Sequence, residues 1–120
     1  MKITLYIHNE IFIENLIALV DSGADLNCVH EGLIPTKYFE KTTERFNAVN
    51  GSRLSVQYKI SNVIISNESL QIKTPFILVK DMGTQIILGA LFAQLLFPYY
   101  TNFDGISKQH LGKTILLPYS

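Results

Sequence analysis

Apolar and polar residues alternate from the first position onward. Ile3, Leu5 and Ile7 are interleaved with Lys2, Thr4, Tyr6 and His8, the period of two that a half-buried strand requires. His8-Asn9-Glu10 reads as a turn. A second strand runs over Ile11 to Val20 and ends in the unbroken apolar run Leu16-Ile17-Ala18-Leu19-Val20, which suggests burial on both faces. It stops at Asp21-Ser22-Gly23-Ala24-Asp25, after which Leu26 to His30 is a short strand. Gly32 to Glu44 is irregular, holds Pro35 and has room for one helical turn. Phe46 to Val49 and Leu54 to Ile60 flank Asn50-Gly51, a pair that accepts the positive φ of a tight hairpin turn. Strands follow over Val63 to Ser66 and Leu70 to Lys80, with a turn at Asn67-Glu68. Pro75 marks a weak or edge position in the second of these. After the loop Met82 to Thr84, Ile86-Ile87-Leu88 is a buried strand ended by Gly89. Ala90 to Phe97 is the best helix, with Leu91, Leu95 and Leu96 on one face and Pro98 as its stop. Asp104-Gly105 turns, and Thr114 to Leu117 closes the chain. Seven to nine short strands and about one helix predict an all-β fold, either a small closed barrel or a sandwich.

Composition narrows the functional classes. With 120 residues there is room for one domain, spanning 1–120. Ten Lys+Arg balance ten Asp+Glu, so no basic surplus favours a nucleic-acid partner. The lone cysteine, Cys28, forms no internal disulfide and no multi-cysteine metal site. The apolar stretch Ile86 to Phe97 is broken by Gln94 and falls far short of the roughly 20 residues of a membrane span. The first residues lack the apolar core of a signal peptide. The expected setting is therefore intracellular and not secreted, with no membrane partner and no cofactor.

Three sites for chemistry emerge, each with an ordinary counterpart. Asp21-Ser22-Gly23 has the composition of a plain turn, yet it follows five apolar residues, where a carboxylate is costly unless bonded or used. Asp25 adds a second acid to the same loop. Cys28 and His30 share a strand face, close enough in principle for a thiolate pair, but nothing resembling a cysteine-protease signature surrounds them, which favours a small buried Cys beside a surface His. Ser22 lacks the flanking glycines of a nucleophile elbow, because Val20 and Ala24 occupy those places. His8, His30 and His110 are scattered without metal-ligand spacing, and the glycines form no phosphate loop.

Three features in fixed order carry a resemblance. They are Leu16 to Asp25 with its Asp-Ser-Gly-Ala, the hairpin at Asn50-Gly51, and Ile86-Ile87-Leu88-Gly89-Ala90-Leu91-Phe92. Together they resemble the retropepsin family of aspartic proteases, the single-lobe enzymes of retroviruses and related elements. The wording of Phe46 to Gly51, Thr74 to Val79 and the run into Phe97-Pro98-Tyr99 is similar to the polyprotein protease of plant pararetroviruses (caulimovirus- and badnavirus-like) and their endogenous copies. The resemblance covers roughly residues 3–100.

The resemblance implies a small closed acid-protease β-barrel with one short C-terminal helix, working as a C2 homodimer. Asp21 would be the catalytic aspartate. Ser22 would hold the active-site loop by hydroxyl bonds across the dimer axis. Gly23 would allow the tight turn, and Ala24 and Asp25 would complete the loop, Asp25 bonding substrate main chain. Leu19 would line a specificity pocket. Val49, Asn50, Gly51 and Ser52 would form the tip of a flap hairpin spanning about 46–58, with Ile87 in the apolar segment behind the loop. Ala90 stands where retroviral members often carry Arg, and Gly51 is alone where their flaps are often glycine-rich. The implied substrate is a peptide or viral polyprotein, cleaved in host-cell cytoplasm or virion. One Asp-Ser-Gly per chain means that a working pair of aspartates needs two chains. The rival readings are a non-catalytic retropepsin-like β-domain used for dimerisation or polyprotein binding, and an unrelated β-barrel in which Asp21 only turns the chain.

Overall fold

The computed structural model describes residues 1–21, 23–43, 45–47, 53–67 and 70–119, with backbone alone for 45–47 and 53–55. The chain is mostly strand, as its alternation predicts. In order it forms β1 (Lys2–Ile7), β2 (Ile11–Val20), β3 (Cys28–His30), β4 (Glu40–Lys41), β5 (Arg45–Asn47), β6 (Arg53–Ser55), β7 (Tyr58–Ile60), β8 (Val63–Asn67), β9 (Leu70–Lys73), β10 (Phe76–Val79) and β11 (Ile86–Leu88). These are followed by α1 (Ala90–Leu96), β12 (Tyr100–Thr101), β13 (Gly105–His110) and β14 (Lys113–Pro118). The fourteen strands among the described residues exceed the seven to nine expected, because two expected runs are each broken in two and three further strands, β4, β12 and β13, form where none was expected.

The β1–β2 hairpin turns where expected. His8 and Asn9 both take left-handed backbone (φ 54° and 56°), and the Glu10 N–H donates to Ile7 O at 3.0 Å. Within β2, Leu5 pairs with Ile13 while Ile3 pairs with Leu16, so Glu14 and Asn15 oppose Thr4 alone. This is a β-bulge, and Asn15 at φ 58° supplies its left-handed residue. The bulge reverses the inward parity. Ile11 and Ile13 face the core before it, and Leu16, Ala18 and Val20 face the core after it. The run 16–20 is therefore buried on one face, not two: Ile17 is 48% and Leu19 52% exposed. Its unbroken apolarity records a second, outward surface.

Nine strands form one sheet in the order β4-β7-β10-β3-β11-β2-β1-β8-β9. In that order β9 and β10 stand six places apart, yet Thr74-Pro75 alone joins them. In a flat sheet they would lie about 29 Å apart, whereas a two-residue link reaches about 11 Å. The Ser61-Asn62 link between β7 and β8 makes the same demand. The sheet must curl, and the main core fills its concave side, with Leu5, Ile7, Ile60, Phe76, Ile86 and Leu88 almost wholly buried. Among the described residues β4 and β9 remain unpaired ends, so the expected closed barrel is a curled sheet in its backbone pairing.

The strand expected over Leu70 to Lys80 breaks at Thr74-Pro75, because proline cannot donate to a ladder and the chain crosses there between the two ends of the sheet. The strand expected over Leu54 to Ile60 divides into β6 and β7. The arms β5 and β6 pair as the predicted hairpin, Phe46 opposite Leu54; its tip, 48–52, lies outside the described residues. The irregular segment holds two short 3-10 turns, Glu31–Leu33 and Thr36–Tyr38. Tyr38 Oη donates to Glu10 Oε2 at 2.8 Å, tying the second of these to the β1–β2 turn.

Two corrections concern the C-terminal quarter. Helix α1 buries Phe92 and Leu96, not the Leu91-Leu95-Leu96 face, and Leu95 is 48% exposed. Beyond it, β12 and β13 form where only the Asp104-Gly105 turn was expected. Together β12, β13 and β14 form a separate three-stranded sheet that sends Ile106, Ile115 and Leu117 into the main core. Lys108 Nζ donates to Leu96 O at 2.7 Å and Pro98 O at 3.3 Å, fastening this sheet to the end of α1.

Candidate active site

The loop 21–27 leaves the end of β2 and returns into β3. Asp21 is half-buried, and its N–H donates to Leu88 O at 2.9 Å, which continues the β2–β11 pairing by one more bond. Its Oδ1 accepts the Gly23 N–H at 2.9 Å, so the loop's own backbone orients the carboxylate. A Cβ on Gly23 would stand 3.2 Å from that oxygen. Glycine at this position keeps the carboxylate uncrowded. Ala24 N–H closes the turn onto Asp21 O at 3.2 Å. Ser22 lies outside the described residues, as do Val49, Asn50, Gly51 and Ser52, so the structure brings none of these five to the loop or away from it.

The segment after β11 clamps the loop. Ala90 N–H donates to Ala24 O at 2.8 Å and Leu91 N–H to Asp25 O at 3.3 Å. Contact is so close at Gly89 that a Cβ there would meet Ala24 O at 2.5 Å and Leu26 O at 2.6 Å, both backbone atoms. The requirement for glycine is steric, since Gly89 has an ordinary φ of −95°. Ala90 acts through its backbone, and Asp25 presents its side chain at the surface.

One face of the sheet leads up to the loop. Leu19, Ile87, Cys28 and Ile77 are successive register neighbours across β2, β11, β3 and β10. They lie on the side opposite the main core. Cys28 and Ile77 form a second small cluster there with Val56, against which Ile87, Leu26, Val79 and Met82 pack. Leu19 continues the row as its exposed end. The result is an apolar floor beside the Asp21 loop, roofed in part by the segment that follows β6.

The cysteine candidate dissolves on this geometry. Burial pushes the Cys28 thiol up to about 12, and the Asp21 carboxylate adds to the shift. The thiol donates to Leu26 O at 3.6 Å, while His30 Nδ1 accepts the Gly32 N–H at 3.0 Å. Such a thiol stays protonated and is no nucleophile. Among the described residues no three His, Cys, Asp or Glu side chains group as metal ligands, and no helix is long and apolar enough to cross a membrane.

Residues 2–96 match the family model of the retroviral aspartyl protease. The chain belongs to that family. No curated protein matches it in sequence. Membership makes the chain an aspartic-protease domain by descent, with an all-β retropepsin fold, and agrees with the resemblance carried by Leu16 to Asp25 and Ile86 to Phe92. The match ends at the last residue of α1, so the three-stranded sheet β12–β14 lies beyond the retroviral aspartyl protease region.

Sequence reasoning missed Asn27 and Thr74, the two polar side chains buried most completely among the described residues, at 0% and 1% exposure. Asn27 Nδ2 donates to Thr74 Oγ1 at 2.9 Å, and its Oδ1 accepts the Gly89 N–H at 3.0 Å. The signal was faint: an amide residue set between Leu26 and Cys28, where the pattern already reads apolar.

Proposed function

We propose that the chain is an aspartic endopeptidase active as a homodimer, in which Asp21 of each copy supplies one carboxylate. The observation that carries this reading is the single Asp-Ser-Gly loop, docked against Leu88 and Gly89 with its carboxylate oriented by Gly23. Hydrolysis by this route needs two carboxylates that share one proton, a general property of aspartic proteases. The ionised one takes a proton from water, and the protonated one polarises the scissile carbonyl. Like charges about 3 Å apart resist joint ionisation, so the singly protonated pair is the working form. One loop per chain makes a two-fold axis between copies the simplest way to assemble it.

In this reading Ser22 braces the loop across the axis, Gly23 and Ala24 shape it, and Asp25 bonds substrate main chain. Leu19 and Ile87 contact substrate side chains, and Val49 to Ser52 close over the peptide as a flap. An extended peptide pairing by its backbone suits a cleft edged by strands. The whole chain, 1–120, acts as one domain. The substrate we infer is a viral or retroelement polyprotein, and the wording around Phe46 to Gly51 and Thr74 to Val79 favours a pararetrovirus-like element, working in host cytoplasm or virion.

The test is cleavage of an apolar fluorogenic peptide near pH 5, run beside solution mass over a dilution series. Activity per chain is expected to fall as the dimer dissociates, and Asp21→Asn is expected to keep the fold and mass while losing cleavage. Constant activity per chain through the monomeric range would sink the homodimer reading. Retained cleavage in Asp21→Asn would move the chemistry elsewhere. A folded dimer that neither cleaves peptide nor binds a statine-type transition-state mimic would leave a non-catalytic β-domain.

A further inference from the structure

We propose that Asn27 is a positioning residue that sets the seat of the Asp21 loop through a single peptide plane. The plane is the Leu88–Gly89 peptide. Its carbonyl accepts the Asp21 N–H at 2.9 Å, and its N–H donates to Asn27 Oδ1 at 3.0 Å. A peptide group is rigid, so its two polar edges move together. The two ends of loop 21–27 thus grip opposite edges of one plate. Tilting the plate to suit one end disturbs the other.

The plate has little freedom of its own. Ala24 O and Leu26 O crowd the Gly89 Cα from the loop side, leaving no room there for a Cβ, so the loop's backbone packs closely against the Gly89 end of the plate. What remains is rotation within the clamp, and the Asn27 amide opposes it. That amide is in turn fixed from behind. Its Nδ2 donates to Thr74 Oγ1 at 2.9 Å and, at a longer 3.5 Å, to Pro75 O, while Asn27 O accepts the Ile77 N–H at 2.9 Å. Thr74 belongs to the link at which the sheet curls, and its own N–H donates to Val63 O at 3.0 Å. A chain of four groups therefore runs from the crossing of the sheet to Asp21: the Thr74 hydroxyl, the Asn27 amide, the Leu88–Gly89 peptide and the Asp21 N–H. Successive bonds of this kind polarise and stiffen one another in a dry interior. An apolar residue of similar size at 27 would fill the same space, but it would leave the Gly89 N–H unpaired in the interior, which is costly.

This assignment rests on Asp21 being the catalytic carboxylate, so its test carries a readout independent of cleavage. In the unaltered dimer, amide hydrogen exchange at Gly89 and Asp21 is expected in the slowest class of the chain. Fast exchange at Gly89 in that sample overturns the proposal without any variant. Thr74→Val keeps volume and removes the hydroxyl that orients Asn27. It is expected to speed Gly89 and Asp21 exchange, to lower kcat about tenfold with KM within about twofold, and to be rescued in all three by Thr74→Ser. A Thr74→Val protein with a lower Tm but unchanged kcat per folded chain and unchanged exchange at Gly89 assigns Asn27 a merely structural role and refutes the proposal. If the unaltered chain cleaves nothing, the protease reading fails, and the exchange comparison alone decides whether Asn27 seats the loop.

Discussion

Cys28 shows how far one residue's surroundings reset its chemistry. It sits in the small cluster with Val56 and Ile77, on the side of the sheet that carries Leu19 and Ile87. Burial, reinforced by the Asp21 carboxylate, raises its thiol from 9.0 to about 12. A group whose folded pKa is raised contributes stability that is fully present below the unfolded value and lost as pH climbs toward the folded one. For Cys28 that window opens at 9.0 and extends to about 12. Urea unfolding from pH 8 to 10.5 is expected to cost the unaltered chain about 2 kcal/mol more than Cys28→Ala over the same interval. Equal slopes would mean the thiol is ionised or hydrated in the folded protein. At this scale the candidate site was legible where a residue type carries its own chemistry: Asp21 after an apolar run, Gly23 and Gly89 beside it. Asn27 was not legible, because its value lies in partners 47 and 62 positions away, Thr74 and Gly89.

At the scale of elements, local pattern served where an element's register is set by its own residues. It failed where a neighbour sets it. The strand β2 has the bounds that its alternation predicts, and the β5–β6 arms pair around the Asn-Gly. The helix was found but its buried face was not, since α1 has seven residues and meets the core only through Phe92 and Leu96. So short a helix has little stability of its own. It is held at one end by the loop contacts of Ala90 and Leu91, and at the other by Lys108, whose ammonium takes the Leu96 and Pro98 carbonyls. Lys108→Met, which keeps the aliphatic stem, is expected to lower stability by about 1 kcal/mol with the m-value unchanged. A shift in denaturation midpoint indistinguishable from zero would show that the cap carries no weight.

At the scale of the molecule, the family match stops at residue 96 while the core does not. Ile106, Ile115 and Leu117 reach it from the C-terminal sheet. Each buried side chain of this size is worth about 1.5–3 kcal/mol, so together they rival a typical domain's net stability of about 5–15 kcal/mol. A chain cut after residue 96 is therefore expected to show no cooperative thermal transition, checked by circular dichroism beside the full chain; a two-state melt in the shortened form would make that sheet an accessory. The all-β class was readable from alternation, but the curl was not. It depends on two-residue links, at Ser61-Asn62 and Thr74-Pro75, between strands six places apart in the sheet, and no local period encodes such a crossing. The bulge at Glu14-Asn15 has one further consequence, for how the length of this segment can drift in descent. Between Ile11 and Asp21 the inward parity depends on the one extra residue that the bulge holds. Losing one residue at Glu14-Asn15 would restore plain alternation with Leu16 and Ala18 still inside, whereas losing or gaining one between Leu16 and Asp21 would exchange inside for outside beyond the change and turn the side from which Asp21 departs. The bulge is therefore where lineages of this protein can shorten the strand by a single residue, and the stretch that leads into Asp21 is where they cannot.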